Sequence, residues 1–205
     1  MKDNNSQDRI LKAAEEEFLM KGFAGARTTE IAKQAGVTHA MLHYYFNTKE
    51  QLFEQVMNEK MQQLLESVST VFQTEELPVV EKIVEVVVRH FEFLCGNPDL
   101  PRFVINEMAV RPDCVDELKK RALPRLKEAA GQLQRDLDAA ARNGEVAKTD
   151  AATLLMDIVS VNVFPFIVAP ILAEATPHMD FQSFLQTRLN ENVQLILNRI
   201  NPDIK

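Results

Sequence analysis

Apolar residues recur along this chain at intervals of three and four, and no stretch of useful length alternates with a period of two. That spacing confines the fold to the all-α class. Ile10, Leu11, Ala14 and Phe18 mark a first helix that Lys21-Gly22 ends. A second runs from about Thr28 to Gln34 with Ile31 and Ala32 inward, and Gly36 makes the following turn, where glycine tolerates φ > 0. Thr38 is placed to cap a third helix that ends near Phe46. A long helix follows from Lys49 to about Phe72, its apolar stripe at 52, 53, 56, 57, 61, 64, 65, 68, 71 and 72. Its length is about 36 Å at 1.5 Å per residue. Later helices are opened by Pro78 and by Asn97-Pro98. One from Asp113 to Arg142 is expected to be interrupted at Pro124. Asp150 caps 151–175, and Asp180 begins the last helix, to Ile200. The expected division is a three-helix helix-turn-helix domain over 1–48 and a larger helical domain over 49–205.

With 205 residues, 46% of them hydrophobic, the chain buries a core without staples, and two cysteines, Cys95 and Cys114, are too few for a disulfide framework. The first ten residues have no apolar run of the secretory kind. The most apolar stretch, Ile158 to Leu172, is 15 residues long and is broken by Pro165 and Pro170. That is short of a membrane span, so a cytoplasmic protein without a membrane partner is expected. The net charge of −7 is carried wholly by residues 51–205; residues 1–50 are neutral, and Arg27 to Lys49 holds three bases and one acid, Glu30. Local charge, not the total, governs the approach to phosphate.

The segment VTHAMLHYYF, Val37 to Phe46, holds two of the four histidines and both tyrosines. On a helical wheel Leu42 and Phe46 share the inner face, while Ala40 and Tyr44 point outward. Tyrosine and threonine hydroxyls donate to phosphate oxygens, and histidine donates to phosphate or to purine N7. Ala40 lets the backbone approach base edges, and Met41 or Ala40 reaches a thymine methyl. The backbone N–H groups at Thr28 favour a phosphate. Two other readings stand beside this one. His39 and His43 are spaced i, i+4, as two metal ligands on one helix face would be, but a zinc site needs at least one more, and the nearest acids are Glu30 and Glu50. Tyr44 and Tyr45 also suit partial burial. No nucleophile–base spacing, glycine-rich phosphate loop or paired carboxylates suggests an enzyme, and no metal or cofactor is expected.

GFAGARTTEIAKQAGVTHAMLHYYFNTKEQLF resembles the DNA-binding domain of TetR-family (tetracycline-repressor-like) transcriptional regulators. Gly22-Phe23, Ile31-Ala32, Ala35-Gly36-Val37-Thr38, Leu42-His43, Tyr44-Tyr45-Phe46 and Lys49-Glu50-Gln51-Leu52 carry the likeness, over about residues 8–56. It implies a repressor that binds a palindromic double-stranded DNA operator as a homodimer and is released by a small-molecule effector. The DNA contacts it implies fall on Arg27, Thr28, Thr38, His39, Ala40, Met41, His43, Tyr44, Tyr45 and Lys49. His43 stands where the family usually has tyrosine, and Ala40 where glycine is common. Histidine can replace the tyrosine contact, with pH dependence.

The resemblance also implies an effector pocket in the C-terminal part. There, polar groups interrupt apolar runs at His90, Asn106-Glu107 and Asn162, and each needs a partner if buried: a ligand, a neighbouring helix or a second subunit. His90, Phe93, Phe103, Met108, Asn162 and Phe166 are the candidate pocket residues, and their apolar character points to a largely apolar ligand. The bland alternative is that Phe91, Phe93, Phe103, Phe164, Phe166, Met108 and Met156 are simply core. Helix 151–175 is apolar nearly all round, which is expected to make it an interface together with the last helix. A small-molecule-binding helical protein with a degenerate head, and a helical enzyme or metalloprotein, are the competing function classes.

Overall fold

The computed structural model describes residues 2–72, 77–201 and 203, with side chains at all of these except 2–4, 112–115, 117, 118 and 121. Cys114 therefore lies outside the described side chains. Among the described residues every regular element is a helix: α1 (Lys2–Gly25), α2 (Thr28–Gln34), α3 (His39–Tyr45), α4 (Lys49–Phe72), α5 (Val79–Gly96), α6 (Leu100–Val110), α7 (Pro112–Arg142), α8 (Ala151–Ala175) and α9 (Phe181–Ile200). The three expected caps are made. Thr38 accepts from Met41 N, Asp150 from Thr153 N, and Asp180 from Gln182 N and Ser183 N. These bonds hold both aspartates below the usual carboxylate range: Asp150 through Thr153, and Asp180 through the Ser183 side chain and backbone.

The chain packs as two compact units, 1–63 with 103–118, and 64–102 with 119–205. The first thus extends past residue 48. The cause is α4, whose Leu52, Phe53 and Val56 are buried in the same unit as Ile10, Ala14 and Phe18 of α1. Phe53 meets the rings of Phe18 and Phe23 edge-on, each with centroids 5.1 Å apart, and Phe103 at 5.9 Å. The helical geometry of α1 breaks at Gly22 (φ 67°, ψ 173°), a conformation that only glycine adopts without strain. A buried carboxylate, Glu17, ties the two sides of that break together. It accepts from Lys21 Nζ at 2.8 Å and from Arg27 N at 3.2 Å.

In the second unit, Val86, Val87, Leu133, Leu137, Leu154, Ile158, Ile196 and Ile200 form the main core. Phe91, Leu94, Phe166 and Leu185 form a second cluster, with Phe93, Phe181 and Phe184 packed on it. Pro165 lies inside α8 and has no N–H for the carbonyl four residues earlier, that of Val161. Asn192 of α9 donates to that carbonyl through Nδ2 at 3.0 Å.

Two expectations are corrected. Pro124 does not interrupt α7, which is helical from Pro112 to Arg142 with the proline inside it. In α9, Leu185, Ile196 and Ile200 are buried within the chain. The apolar stretch around 158–172 belongs to a 25-residue helix that is long and apolar enough to cross a membrane by length and composition alone. That helix, α8, leaves Met156, Val159, Phe164 and Ile171 exposed, Phe164 at 61%.

Candidate nucleic-acid interface

Two short helices joined by Gly36 (φ 64°) build the site. Ile31 and Ala32 of α2 and Leu42 of α3 are buried, and Phe46 closes α3 from below. With Leu42 and Phe46 held inside, the opposite side of α3 is forced outward. Thr38, His39, Ala40, Met41, His43 and Tyr44 are all exposed, Tyr44 at 82%. Tyr45 is half-buried, its ring edge-on to Tyr44 at 5.3 Å. The outward and inward residues fall as the wheel predicted.

Hydrogen bonds hold this face in place. Thr38 Oγ1 accepts from Met41 N at 3.2 Å, leaving its own O–H to donate elsewhere. Thr28 Oγ1 and His39 Nε2 are 3.0 Å apart, joining the start of α2 to the start of α3. His39 and His43 meet edge-to-face, with centroids 4.5 Å apart. His43 Nδ1 lies 3.1 Å from the backbone oxygen of Asn47. Arg27 is exposed and serves as the N-cap residue of α2 without a side-chain cap, so the first N–H groups of that helix lack a side-chain acceptor there. At the start of α4, Thr48 caps Gln51 N at 3.1 Å. Lys49 is half-buried with Nζ 4.6 Å from the centre of the Phe23 ring, which the Arg111 guanidinium also covers at 3.8 Å. All ten predicted contact residues therefore lie at α2, α3 or the start of α4, in one unit.

Among the described residues no group of three or more His, Cys, Asp or Glu could hold a metal ion. The i, i+4 histidines are turned to other partners, Thr28 and Asn47.

The six candidate pocket residues are divided between the two units. His90, Phe93, Asn162 and Phe166 are in the second unit, but Phe103 and Met108 are in the first, Phe103 against Phe53 and Met108 40% exposed. His90 and Asn162 are buried partners. Asn162 Nδ2 donates to Val87 O at 2.9 Å and to His90 Nδ1 at 3.1 Å, while Asn162 Oδ1 accepts from Asn192 Nδ2 at 2.9 Å. Burial lowers the His90 pKa to about 4. Neighbouring helices thus supply the partners. Asn192 itself was not foreseen, and its Oδ1 is buried without a hydrogen bond.

Residues 10–56 match the family described as bacterial regulatory proteins, tetR family. The fatty acid metabolism regulator protein of Bacillus subtilis (strain 168) is 28% identical over 138 residues, 67% of this chain and 69% of the relative. Against two further Bacillus subtilis regulators the chain spans 56% of the relative's length. The Streptomyces coelicolor protein SCO4942, described as a transcriptional regulator, superposes with a TM-score of 0.68 at 24% identity, covering 95% of this chain and 98% of that one. Bacillus subtilis FadR, solved in complex with stearoyl-CoA, gives 0.62 at 22% identity over 90% of this chain and 96% of that one. These two structures share the all-helical fold.

Proposed function

We propose that this chain, whose residues 10–56 match the tetR family of bacterial regulatory proteins, is a cytoplasmic, ligand-responsive repressor that binds a palindromic operator as a homodimer. The observation that carries the reading is the outward face of α3. Six consecutive-turn residues that can donate to phosphate or touch base edges are exposed on a helix whose inner residues are fully packed. Arg27, Thr28, Tyr45 and Lys49 flank that face as further phosphate contacts. Residues 1–48 then act as the reading head and 49–205 as the effector and dimer domain. The exposed stripe of α8, Met156, Val159, Phe164 and Ile171, suits burial against a second copy.

For the effector, a largely apolar small molecule bound near His90, Phe93, Asn162 and Phe166 accords with the phenylalanine-rich second cluster and with the acyl-CoA seen in FadR. Its binding favours a state in which the paired heads no longer fit the operator.

The test is a mobility shift with the DNA flanking this protein's own gene, with and without stearoyl-CoA. A retarded band that the acyl-CoA releases is the expected result. No shift with that DNA or with any fragment of a genomic library at low salt would sink the DNA reading. A shift untouched by acyl-CoA would remove that ligand class only.

A further inference from the structure

The position where His43 stands carries a tyrosine in the family pattern, and its replacement changes what the site can donate. A backbone carbonyl only accepts, so the 3.1 Å contact to Asn47 O places the neutral ring's single hydrogen on Nδ1. Nε2 is then a bare lone pair. His43 is exposed, and among the described residues no other hydrogen bond or ion pair engages it. A lone pair cannot donate to a phosphate oxygen and is repelled by it. Adding one proton changes this without moving the ring: Nδ1 keeps its bond to Asn47, and Nε2 gains an N–H and a share of positive charge.

We propose that His43 contacts DNA phosphate only as the imidazolium, so that the Asn47 carbonyl makes DNA binding by this chain proton-dependent. The inference rests on the DNA-binding reading above. The surroundings are compatible with it. On α3 the neighbouring ring is His39, whose Nε2 is engaged with Thr28 Oγ1, and Tyr44 and Tyr45 follow. The packed helix α2 carries Glu30 and Lys33, and α4 begins with Lys49 and Glu50. None of these four charges pairs with His43. Lys49 Nζ lies over the Phe23 ring instead. Among the described residues His39 is the titratable ring in contact with His43, with centroids 4.5 Å apart, so it must be tested separately.

The experiment uses the full-length protein and a fluorescent mixed-sequence DNA duplex in low salt, with anisotropy read at about pH 6 and about pH 8, the range in which histidine ordinarily titrates. The wild type is expected to bind roughly ten-fold tighter at the lower pH, as a gained charge-assisted hydrogen bond requires. His43→Gln is expected to lose most of that dependence, and His39→Gln to keep it. His43→Tyr, a donor at both values, should bind nearly equally at each. Long-range proton–nitrogen spectra of the free protein at about pH 8 report the tautomer directly, and hydrogen on Nδ1 of His43 is expected. Hydrogen on Nε2, or a His43→Gln protein with the wild-type pH dependence, overturns the inference and leaves the DNA reading standing. Failure of every variant to bind the duplex at either pH overturns both.

Discussion

The backbone N–H of Phe23 donates to the buried carboxylate of Glu107 at 2.9 Å, across 84 residues of chain. The acceptor oxygen also marks the limit on residue 22, because a Cβ at Gly22 would come within 3.1 Å of it. Glu107 thereby fixes the turn that ends the straight part of α1, beside the ring that Lys49 and Arg111 share. Glu107→Ala leaves a half-buried N–H without its partner, and a loss of about 1–3 kcal/mol is expected. Glu107→Gln keeps an acceptor and should lose less. Urea unfolding of the three proteins measures this, and equal midpoints would show that water replaces the carboxylate at no cost.

His90 makes stability acid-sensitive in a defined window. Its folded value is about 4, against 6.5 in an unfolded chain. Below pH 6.5 the unfolded state therefore takes up a proton that the native state refuses until pH 4. The stabilisation is complete above 6.5 and is lost as pH falls toward 4. At pH 5 the expected loss relative to pH 7 is about 2 kcal/mol, from the linkage relation. Carboxylates also titrate there, so the measurement is the difference between wild type and His90→Gln in urea unfolding at both pH values. A difference that does not change with pH would refute the burial argument.

Separation of reading from folding is expected within α3. Leu42 is fully buried, and Leu42→Ala should cost about 2–5 kcal/mol of stability. Tyr44→Phe should leave the melting temperature unchanged and weaken duplex binding by about 1.5–3 kcal/mol, the size of one hydrogen bond to a charged group. Calorimetry and anisotropy on the same preparations decide it. A Tyr44→Phe protein that melts early would place that hydroxyl in the fold instead.

Phe164 is 61% exposed on the outer stripe of α8. Phe164→Arg is expected to leave the core intact and convert dimer to monomer in sedimentation at micromolar concentration. A wild-type protein that is already monomeric there would end the dimer proposal.

The reading of the sequence was strongest where the cause is local. Thr38, Asp150 and Asp180 cap because a short acceptor precedes a helical run. Leu42 and Phe46 face inward because their spacing is four. Glu107 stood out as a polar group that needs a partner if buried, but its partner did not: the N–H it serves lies 84 residues away, and nothing in either stretch names the other. Pro124 misled because a proline within a helical pattern can kink a helix without ending it. Asn192 was within reach. It interrupts the apolar positions 185, 189, 196 and 200 on one face of α9, while Pro165 announces a stranded carbonyl that a buried donor must satisfy.

That pairing also fixes how far α9 can travel. Asn192 Nδ2 spends its two hydrogens on Val161 O and Asn162 Oδ1. A slip of α9 along α8 by one helical turn, about 5.4 Å, would re-seat its leucines and isoleucines on equivalent apolar ground, but would carry the amide away from both acceptors. The proline that weakens α8 as a helix therefore acts as a detent between the two helices: one register satisfies the stranded carbonyl, and every neighbouring register strands it again.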